Sequence, residues 1–412
     1  MIDGIIIAAP SSGSGKTLIT LGILRALRRR EIAACGGKVG PDYIDPSFHR
    51  SAAGRDAHNL DVWAMRRGML TMRLESLGGE NSLMVTEGVM GLYDGIGHQG
   101  VGSTAEFAEA VNWPVVMVID ARGAAASVAA VLQGFANFQE PDRKRNIRVV
   151  GVIANRVGSA NHADVIEKAC RRAMPDVAWL GSVKRDERLV LPARHLGLVQ
   201  AMEHPELEEF IDEAADIIEQ SINLDLLLKL AKPANTDLEL SQVPAIPPLG
   251  QRIAVAQDAA FGFAYNFVLS GWRAAGAELL PFSPMANEGP DRSADAIYLC
   301  GGYPELHIGR IAHASHFRNE MLSAAKRGAT IYGECGGYMV LGDALIDVGG
   351  VAHQMLGMLP VVTSFAERRL QLGYRRVQAI RNSFLGMKDS FFRGHEFHYA
   401  GIVNEEESTA LF

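Results

Sequence analysis

The stretch GIIIAAPSSGSGKT, residues 4–17, decides the fold of the first half of the chain. Its first part, Gly4–Ala9, is short and apolar on both faces, as buried parallel strands are. Its second part matches the phosphate-binding pattern GxxxxGK followed by Ser or Thr, except that Pro10 replaces the first glycine. The spacing predicts a helix directly afterwards, over Leu18–Arg30. A strand, a glycine-rich loop and a helix in this order predict a P-loop; the alternative is a Ser/Gly turn that happens to end in Lys-Thr.

Apolar runs of the same kind recur along the first half, at Ser82–Val89, Val115–Asp120 and Val149–Ala154. Each run ends in polar or glycine-rich residues, and helical stretches such as Ala105–Val111 lie between them. Repeated strand and helix predict an α/β fold with a doubly wound sheet, whose sites lie at the carboxyl ends of its strands.

The pattern fails between residues 229 and 250, where prolines cluster. Proline fixes φ and removes a hydrogen-bond donor, so this segment is expected to be a linker. Strand and helix alternation resumes with Arg252–Gln257. We therefore predict two doubly wound domains, residues 1–230 and 251–412, joined by a proline-rich linker over residues 231–250.

Composition narrows the class of protein. The chain has 412 residues, 48% hydrophobic and 21% charged, which is typical of a globular protein. Its net charge of −7 argues against a general nucleic-acid binder. No apolar run reaches the roughly 18–20 residues of a membrane span, and the N-terminus does not resemble a signal peptide. The cysteines form no CxxC pair, which favours a reducing cytoplasm over a disulfide framework or a zinc site.

The P-loop residues have expected roles in binding ATP and Mg²⁺. The backbone N–H groups of Gly13, Ser14 and Gly15 would hold phosphate oxygens at the start of the helix. Lys16 would contact the β- and γ-phosphates, and the hydroxyl of Thr17 would ligate Mg²⁺. These five residues form the core of the predicted ATP site.

Further polar residues stand at predicted strand ends. Glu87 ends an apolar run and lies where a Walker B acid can reach the metal. Asp94 belongs to the glycine-rich continuation EGVMGLYDG. Asn155 follows the last predicted strand of the first half, and we expect it to hydrogen-bond a base edge; a plain turn asparagine is the alternative.

The segment KVGPDYIDP, residues 38–46, follows the second predicted strand. Lys38, Asp42 and Asp45 suit phosphate and metal binding at a strand exit. The alternative is structural, because Pro-Asp and Asp-Pro pairs also form turns.

A second chemical signal lies in the other half. Between a predicted strand, Ala329–Tyr332, and a predicted helix from Tyr338 onward stands GECGG, the thiol form of a nucleophile elbow around Cys335. The N–H of Gly336 and the helix start are expected to depress the thiol pKa and to form an oxyanion hole. Gly302, in the upstream segment GGYPE, would supply a second N–H. A buried structural cysteine is the alternative.

That thiol needs a base, and the segment GHEFHY offers His395 and His398. In a strand these two side chains would face opposite sides, so only one of them can meet Cys335. A metal site made of His395, Glu396 and His398 is the alternative.

Together these motifs resemble the cobyrinate/hydrogenobyrinate a,c-diamide synthases of corrinoid biosynthesis. The resemblance spans nearly the whole chain. The motifs that carry it are APSSGSGKT from Ala9, KVGPDYIDP from Lys38, EGVMGLYDG from Glu87, RHLGL from Arg194, GGYPE from Gly301, GECGGYM from Gly333 and GHEFHY from Gly394. It implies a dethiobiotin-synthetase-like, ATP-binding amidoligase domain over residues 1–230. It implies a class I glutamine amidotransferase domain, with a flavodoxin-like sheet, over residues 251–412.

The resemblance also implies a reaction. Glutamine is hydrolysed at Cys335 through a thioester, and His398 raises the nucleophilicity of the thiol. ATP with Mg²⁺ phosphorylates acetate side chains of the macrocycle, and ammonia attacks the acyl phosphate. The implied metal ligands are Thr17, Asp45 and Glu87. The implied residues at the junction with the substrate are Lys38, Asp42, Tyr43 and Asp94.

Some alternatives stay open. Class I amidotransferases usually carry Glu two residues after the catalytic histidine, where this chain has Ala400, so the resemblance implies a Cys–His dyad. The substrate is metal-free hydrogenobyrinate or cobalt cobyrinate. Related activities are those of nickel-sirohydrochlorin a,c-diamide synthase and cobyrate synthase; a ParA/MinD-like scaffold ATPase is disfavoured because Ser11 replaces its signature lysine. The expected partners are the tetrapyrrole carboxylate and L-glutamine, with no nucleic acid and no membrane. A homodimer is the base-rate expectation.

Overall fold

The computed structural model describes residues 2–78, 83–97, 99–139, 146–186, 193–194, 197–198, 200–235 and 246–405. The chain divides into two compact units, Met1–Val243 and Pro244–Phe412. The division falls inside the predicted linker, although Lys232–Pro233 at the start of that segment already pairs with the first strand.

The first unit is built on a mainly parallel sheet. Its strands are β1 (Asp3–Ala8), β2 (Ala34–Val39), β3 (His58–Leu60), β4 (Leu83–Glu87), β5 (Val115–Asp120), β6 (Val149–Val157) and β7 (Ala178–Lys184), followed by a small hairpin, β8 (Ala193–Arg194) and β9 (Gly197–Leu198), and by β10 (Lys232–Pro233). The order in the sheet is β3-β2-β4-β1-β5-β6-β7, with β10 antiparallel to β1. The P-loop strand β1 is therefore central, and the strand that ends in Glu87 is its direct neighbour.

Helices cover this sheet. They are α1 (Lys16–Arg29), α2 (Ile44–Ala53), α3 (Arg67–Leu77), α4 (Thr104–Val111), α5 (Ser127–Asn137), α6 (Ala160–Ala173), α7 (Leu207–Ser221) and α8 (Leu224–Leu230), with a 3-10 turn at Ala201–Glu203. Helix α1 is tied to α7 by ion pairs of Arg25 with Glu208 and Asp212. The core packs tightly around β1, since a Cβ on Gly4 would lie 2.0 Å from Cε2 of Trp113.

The second unit has a smaller parallel sheet. Its strands are β11 (Arg252–Ala256), β12 (Glu278–Phe282), β13 (Ala296–Leu299) and β14 (Thr330–Gly333), in the order β12-β11-β13-β14. Its helices are α9 (Asn266–Ala274), α10 (Ile308–His313), α11 (Ser315–Lys326) and α12 (Gly336–Leu341), with 3-10 turns at Pro284–Ala286 and Pro304–Leu306. This strand order is that of the first four strands of a flavodoxin-like sheet.

Two further β structures follow in the second unit. Strands β15 (Ala344–Ile346), β16 (Ala352–Gln354), β17 (Val361–Ser364) and β20 (Gly401–Glu405) form a sheet in the order β16-β15-β17-β20. Strands β18 (Gln371–Gln378) and β19 (Phe391–His398) form a separate two-stranded hairpin. The predicted class, two α/β units with doubly wound sheets, is confirmed.

Some helix and strand boundaries differ from the sequence predictions. Helix α1 begins two residues before the predicted Leu18, because Gly15, at φ 96°, turns the chain directly into the first helical turn. Strand β6 runs on to Val157 instead of ending at Ala154. In the described part of the chain, none of the helices combines the length and apolar character that crossing a membrane requires.

Candidate active sites

The P-loop lies between β1 and α1, and a side chain of β6 holds its backbone in place. Gly13 and Gly15 adopt left-handed backbone angles, φ 77° and 96°. The side-chain amide of Asn155, at the carboxyl end of β6, donates a hydrogen bond of 2.9 Å to the carbonyl of Ser14. A Cβ on Gly15 would lie 2.1 Å from Nδ2 of Asn155, so only glycine fits there. The structure thus gives Asn155 a positioning role that the sequence did not predict, and its contact with a base edge stays a prediction.

The side chain of Lys16 is buried beside this loop. Its Nζ donates hydrogen bonds to the carbonyls of Met90, at 2.6 Å, and Ser11, at 3.3 Å. Burial lowers the pKa of Lys16, although Glu87 opposes the shift. Asp94 closes the loop that contains Met90, because its carboxylate accepts a 2.8 Å bond from the N–H of Gly91. The loop after β4 is therefore fixed against the P-loop lysine.

A buried polar network centres on Glu87. The hydroxyl of Thr17 donates to Oε1 of Glu87 at 2.7 Å, and Nζ of Lys38 lies 3.2 Å from the same oxygen. Lys38 also forms an ion pair with Asp45. Nε2 of His49 lies 2.9 Å from Oε2 of Glu87. Four predicted residues are thereby brought together, and His49 joins them from α2.

The two acids of this network, Glu87 and Asp45, have pKa values that are shifted in opposite directions. Burial alone would raise the pKa of Glu87, but Lys38, His49 and Thr17 outweigh it and hold that pKa at about 2. Burial, with the nearby charges of Asp42 and Glu87, raises the pKa of Asp45 to about 8. The surroundings therefore favour the ionised form more strongly for Glu87 than for Asp45.

The segment after β2 was predicted either to bind phosphate and metal or to form a structural turn, and part of it has the structural role. Oδ1 of Asp42 accepts bonds from the N–H groups of Ile44, at 2.7 Å, and Asp45, at 3.3 Å, which caps the start of α2. Tyr43 occupies the position just before this helix. A role for Asp42, Tyr43 or Asp94 at the substrate junction stays a prediction. His49 was missed, although its spacing of four residues from Asp45 puts both on one helix face.

The side-chain oxygens of Thr17 and Glu87 can be compared with the ligands that Mg²⁺ requires. This ion takes oxygen ligands and usually keeps waters or phosphate oxygens among them. A hydroxyl and an ionised carboxylate 2.7 Å apart, next to the P-loop, meet that requirement. Within the described residues, no group of three or more His, Cys, Asp or Glu side chains has the geometry of a metal site. With Thr17 and Glu87 as its protein ligands, an octahedral Mg²⁺ would take its other ligands from waters and phosphate oxygens.

The thiol of Cys335 sits at a strained turn between β14 and α12. Its backbone adopts φ 51° and ψ −115°, a conformation that non-glycine residues rarely take. Close packing demands the glycines around it: a Cβ on Gly337 would lie 2.0 Å from the carbonyl of Leu299, and one on Gly302 would lie 2.0 Å from that of Ala260. The N–H groups of Gly302 and Gly336 both donate to Sγ of Cys335. Both donors predicted for an oxyanion hole therefore converge on the nucleophile.

The expected depression of the thiol pKa is wrong for this structure. Burial, with the charges of Glu305 and Glu334, raises the pKa of Cys335 to about 11 against the two N–H donors. Helix α12 has only six residues, so its dipole offers little compensation. Burial therefore favours the thiol over the thiolate at Cys335.

His398 lies on β19 with both ring nitrogens facing oxygen atoms. Nδ1 is 2.9 Å from the carbonyl of Ala400, and Nε2 is 2.9 Å from Oε1 of Glu396. The other carboxylate oxygen of Glu396 pairs with Arg375 at 2.5 Å. Among the contacts of the described residues, none joins His398 to Cys335, and the dyad stays a prediction. His395 faces the other side of the strand, as expected, and packs against Tyr374.

A carboxylate next to the nucleophile escaped the sequence analysis. Glu334 accepts hydrogen bonds from the hydroxyls of Tyr298 and Tyr332, which are paired in register on β13 and β14. Burial raises the pKa of Glu334. The signal available in the sequence was a tyrosine in each of two adjacent predicted strands.

Comparison with known proteins gives the geometry a context. Residues 5–199 match the model of the CobQ/CobB/MinD/ParA nucleotide-binding domain, and residues 252–412 match that of the CobB/CobQ-like glutamine amidotransferase domain. The hydrogenobyrinate a,c-diamide synthase of a Sinorhizobium species is 49% identical over 416 residues, covering 100% of this chain and 92% of the relative. The chain belongs to this family. The enzyme of the same name from Brucella suis biovar 1 is also 49% identical, with the same coverage.

The resemblance inferred from the motifs is thereby confirmed. Members of the hydrogenobyrinate a,c-diamide synthase family join a nucleotide-binding and a glutamine amidotransferase domain, and this chain is an ATP-using, glutamine-dependent amidating ligase. Among solved structures, the hydrogenase maturation factor HypB from Archaeoglobus fulgidus is similar with a TM-score of 0.30 and 16% identity, covering 53% of this chain and 90% of HypB. In the family motif RHLGL, residues 194–198, His195 and Leu196 lie outside the described residues.

Proposed function

We propose that the chain amidates the a and c acetate carboxylates of hydrogenobyrinate or cobyrinate, using ATP and glutamine. The observation that carries this proposal is the presence of two built sites in one chain of this family. One is the Cys335 thiol with its two N–H donors. The other is the P-loop, with Lys16 and Thr17 next to the buried Glu87. The family's name supplies the macrocycle.

The thiol site supports hydrolysis of glutamine. Sγ of Cys335 attacks the carboxamide carbon, and the N–H groups of Gly302 and Gly336 stabilise the negative charge on the carbonyl oxygen. Collapse of the tetrahedral adduct breaks the C–N bond and releases ammonia. Water then hydrolyses the thioester and frees glutamate. Because the pKa of the resting thiol is raised, a base must remove its proton once glutamine is bound.

The P-loop site supports activation of the carboxylate. A carboxylate oxygen is a poor leaving group, so it first attacks the γ-phosphorus of ATP and releases ADP. Lys16 and the P-loop N–H groups offset charge on the phosphates. Thr17 and Glu87 would hold Mg²⁺, which neutralises phosphate charge when it is bound. Ammonia then attacks the acyl carbon, phosphate leaves, and an amide forms.

The site is supported by buried side chains that contact Glu87 directly or through one another. These are Lys38, Asp45 and His49. Lys38 links the two acids, and His49 holds one oxygen of Glu87 while Thr17 holds the other. A carboxylate fixed at both oxygens is a preorganised ligand. We propose that this network sets the orientation of Glu87 toward the metal.

The test is an amidation assay by mass spectrometry. Purified protein is given ATP, Mg²⁺ and glutamine with hydrogenobyrinate or cobyrinate in separate reactions. We expect one macrocycle to gain two amides, each replacing a hydroxyl by an amino group. Conversion of neither corrin, with glutamine hydrolysis intact, would overturn the corrin assignment; conversion of nickel-sirohydrochlorin alone would move the protein to the related activity.

The geometry of His398 gives a separate prediction. A general base contributes about 10²–10⁴ in rate. The resting ring contacts Glu396 and Ala400, and we propose that His398 takes the thiol proton once glutamine is bound, so we expect His398→Asn to lower glutaminase kcat/KM by about that factor. Glutaminase assays on purified, folded variants measure this. A loss of less than about tenfold, the size of a structural perturbation, would exclude His398 as the base.

A further inference from the structure

The carboxyl end of β6 contributes two consecutive side chains to the P-loop. The amide of Asn155 donates a hydrogen bond of 2.9 Å to the carbonyl of Ser14. Nη1 of Arg156, the next residue, donates a hydrogen bond of 2.7 Å to the carbonyl of Gly13. Two neighbouring residues of one strand therefore hold two neighbouring carbonyls of the loop.

A β-bulge in β6 makes this arrangement possible. In a regular strand, the side chains of Asn155 and Arg156 would point to opposite faces of the sheet. Asn155 and Val157 pair with Val183 and Lys184, which are consecutive residues of β7, so Arg156 is the extra residue of a bulge. Its backbone has φ 60°, a conformation that is costly for a residue with a side chain. Because bulges re-aim side chains and are common next to active sites, we attribute the reach of Arg156 to the P-loop to this bulge.

The guanidinium of Arg156 is anchored by Asp120, at the carboxyl end of the adjacent strand β5. The same Nη1 donates a hydrogen bond of 2.6 Å to Oδ2 of Asp120, so its two hydrogens have one acceptor each. Asp120 also pairs with Arg122 at 2.8 Å. Burial would raise the pKa of Asp120, but hydrogen bonds from Arg122 and Arg156 outweigh burial and lower that pKa. The surroundings therefore favour the ionised form of the carboxylate that anchors Arg156.

Holding the two carbonyls also aims two N–H groups of the loop. The C=O and the N–H of a trans peptide point in opposite directions. The carbonyl of Gly13 shares its peptide with the N–H of Ser14, and the carbonyl of Ser14 shares its peptide with the N–H of Gly15. With both carbonyls bound by β6 side chains, both N–H groups point away from β6. Successive N–H groups that are aimed together form a site for phosphate oxygens.

We propose that Arg156, anchored by Asp120, is a positioning residue for ATP, because it fixes the peptide between Gly13 and Ser14 with its N–H toward the phosphates. Arg156 touches the loop and acts on the nucleotide through it. This role rests on the use of ATP by the first unit. It depends on neither the macrocycle nor glutamine.

The experiment compares two arginines that share Asp120 as a partner. The dissociation constant of MgATP is measured by isothermal titration calorimetry on the full chain, without macrocycle or glutamine. We expect Arg156→Ala to raise this constant about tenfold, the effect of losing one hydrogen bond from a charged group. Arg122→Ala removes an equal charge from the same aspartate. Because Arg122 is exposed and its ion pair is with Asp120, we expect this variant to bind MgATP with the native constant.

Two further variants separate positioning from folding. Arg156→Lys keeps a charged donor for the carbonyl of Gly13 but loses the planar fork, so its dissociation constant should lie between those of the native protein and Arg156→Ala. Asp120 acts through Arg156, so Arg156→Ala should have a smaller effect in an Asp120→Ala background than in the native chain. Effects that simply add would contradict the anchoring role of Asp120. An unchanged melting temperature establishes that each variant is folded.

Inorganic tripolyphosphate distinguishes the loop from the rest of the nucleotide. It has three phosphates but no base or ribose, so its inhibition constant against MgATP binding should rise in Arg156→Ala by the same factor as the dissociation constant of MgATP. A rise for MgATP alone would place Arg156 against the base or ribose and overturn the proposal. A native dissociation constant in Arg156→Ala, or equal rises in Arg156→Ala and Arg122→Ala, would overturn it as well.

Discussion

Replacing Cys335 by alanine is expected to abolish amidation with glutamine as the nitrogen source, by at least ~10³-fold, because the thioester forms on the Cys335 thiol. Amidation supported by ammonium chloride at mildly alkaline pH should stay within about twofold of the native rate, since ATP chemistry uses other residues. The same mass-spectrometric assay, run with each nitrogen source, measures both rates.

The matched control for this variant is Cys170→Ala. Cys170 is a buried cysteine of α6 in the first unit, with no glycine elbow around it. We expect it to keep both activities. Residual glutamine-dependent turnover in Cys335→Ala, above that of free ammonia in the glutamine stock, would show that another nucleophile acts.

Replacing Lys16 by methionine is expected to remove amidation with either nitrogen source, by about 10³-fold. Its ammonium group is buried against the P-loop, where the carbonyls of Ser11 and Met90 aim it. Methionine has similar length but no charge, so phosphate charge would be left unbalanced. Glutamine hydrolysis at Cys335 should persist, because it needs no nucleotide phosphate.

An exposed lysine provides the comparison for Lys16→Met. Lys168 on α6 is exposed and pairs with Asp164, one helical turn away. Lys168→Met should leave both rates unchanged, because exposed pairs of this kind contribute little. Full amidation by Lys16→Met would mean that phosphate transfer occurs elsewhere in the protein.

Local sequence patterns predicted the elements that position both sites. Buried strands followed by glycine-rich turns are short-range features, so the P-loop at Lys16 and the elbow at Cys335 could be read from them. Asp42 was harder, because an aspartate before a helix serves equally as a cap or a ligand. Its bonds to Ile44 and Asp45 show the cap.

Contacts between distant elements could not be predicted in the same way. Asn155 reaches Ser14 because β6 lies two strands from β1, and His49 reaches Glu87 because α2 packs over the sheet. The contacts of His398 are local by comparison, because Glu396 and Ala400 each lie two residues away along the chain, and strand alternation alone puts Glu396 on the same face. The thiol pKa was misjudged because the pattern around Cys335 displayed its N–H donors but not the cost of burial.

The raised pKa of the Cys335 thiol also affects the rate at which oxidants react with it. Peroxide reacts with thiolates far faster than with thiols. A group with a pKa of about 11 is ionised in only about one molecule in 10⁴ at pH 7. Because burial favours the protonated form of Cys335, we expect peroxide to convert it to sulfenic acid more slowly than it converts an exposed cysteine.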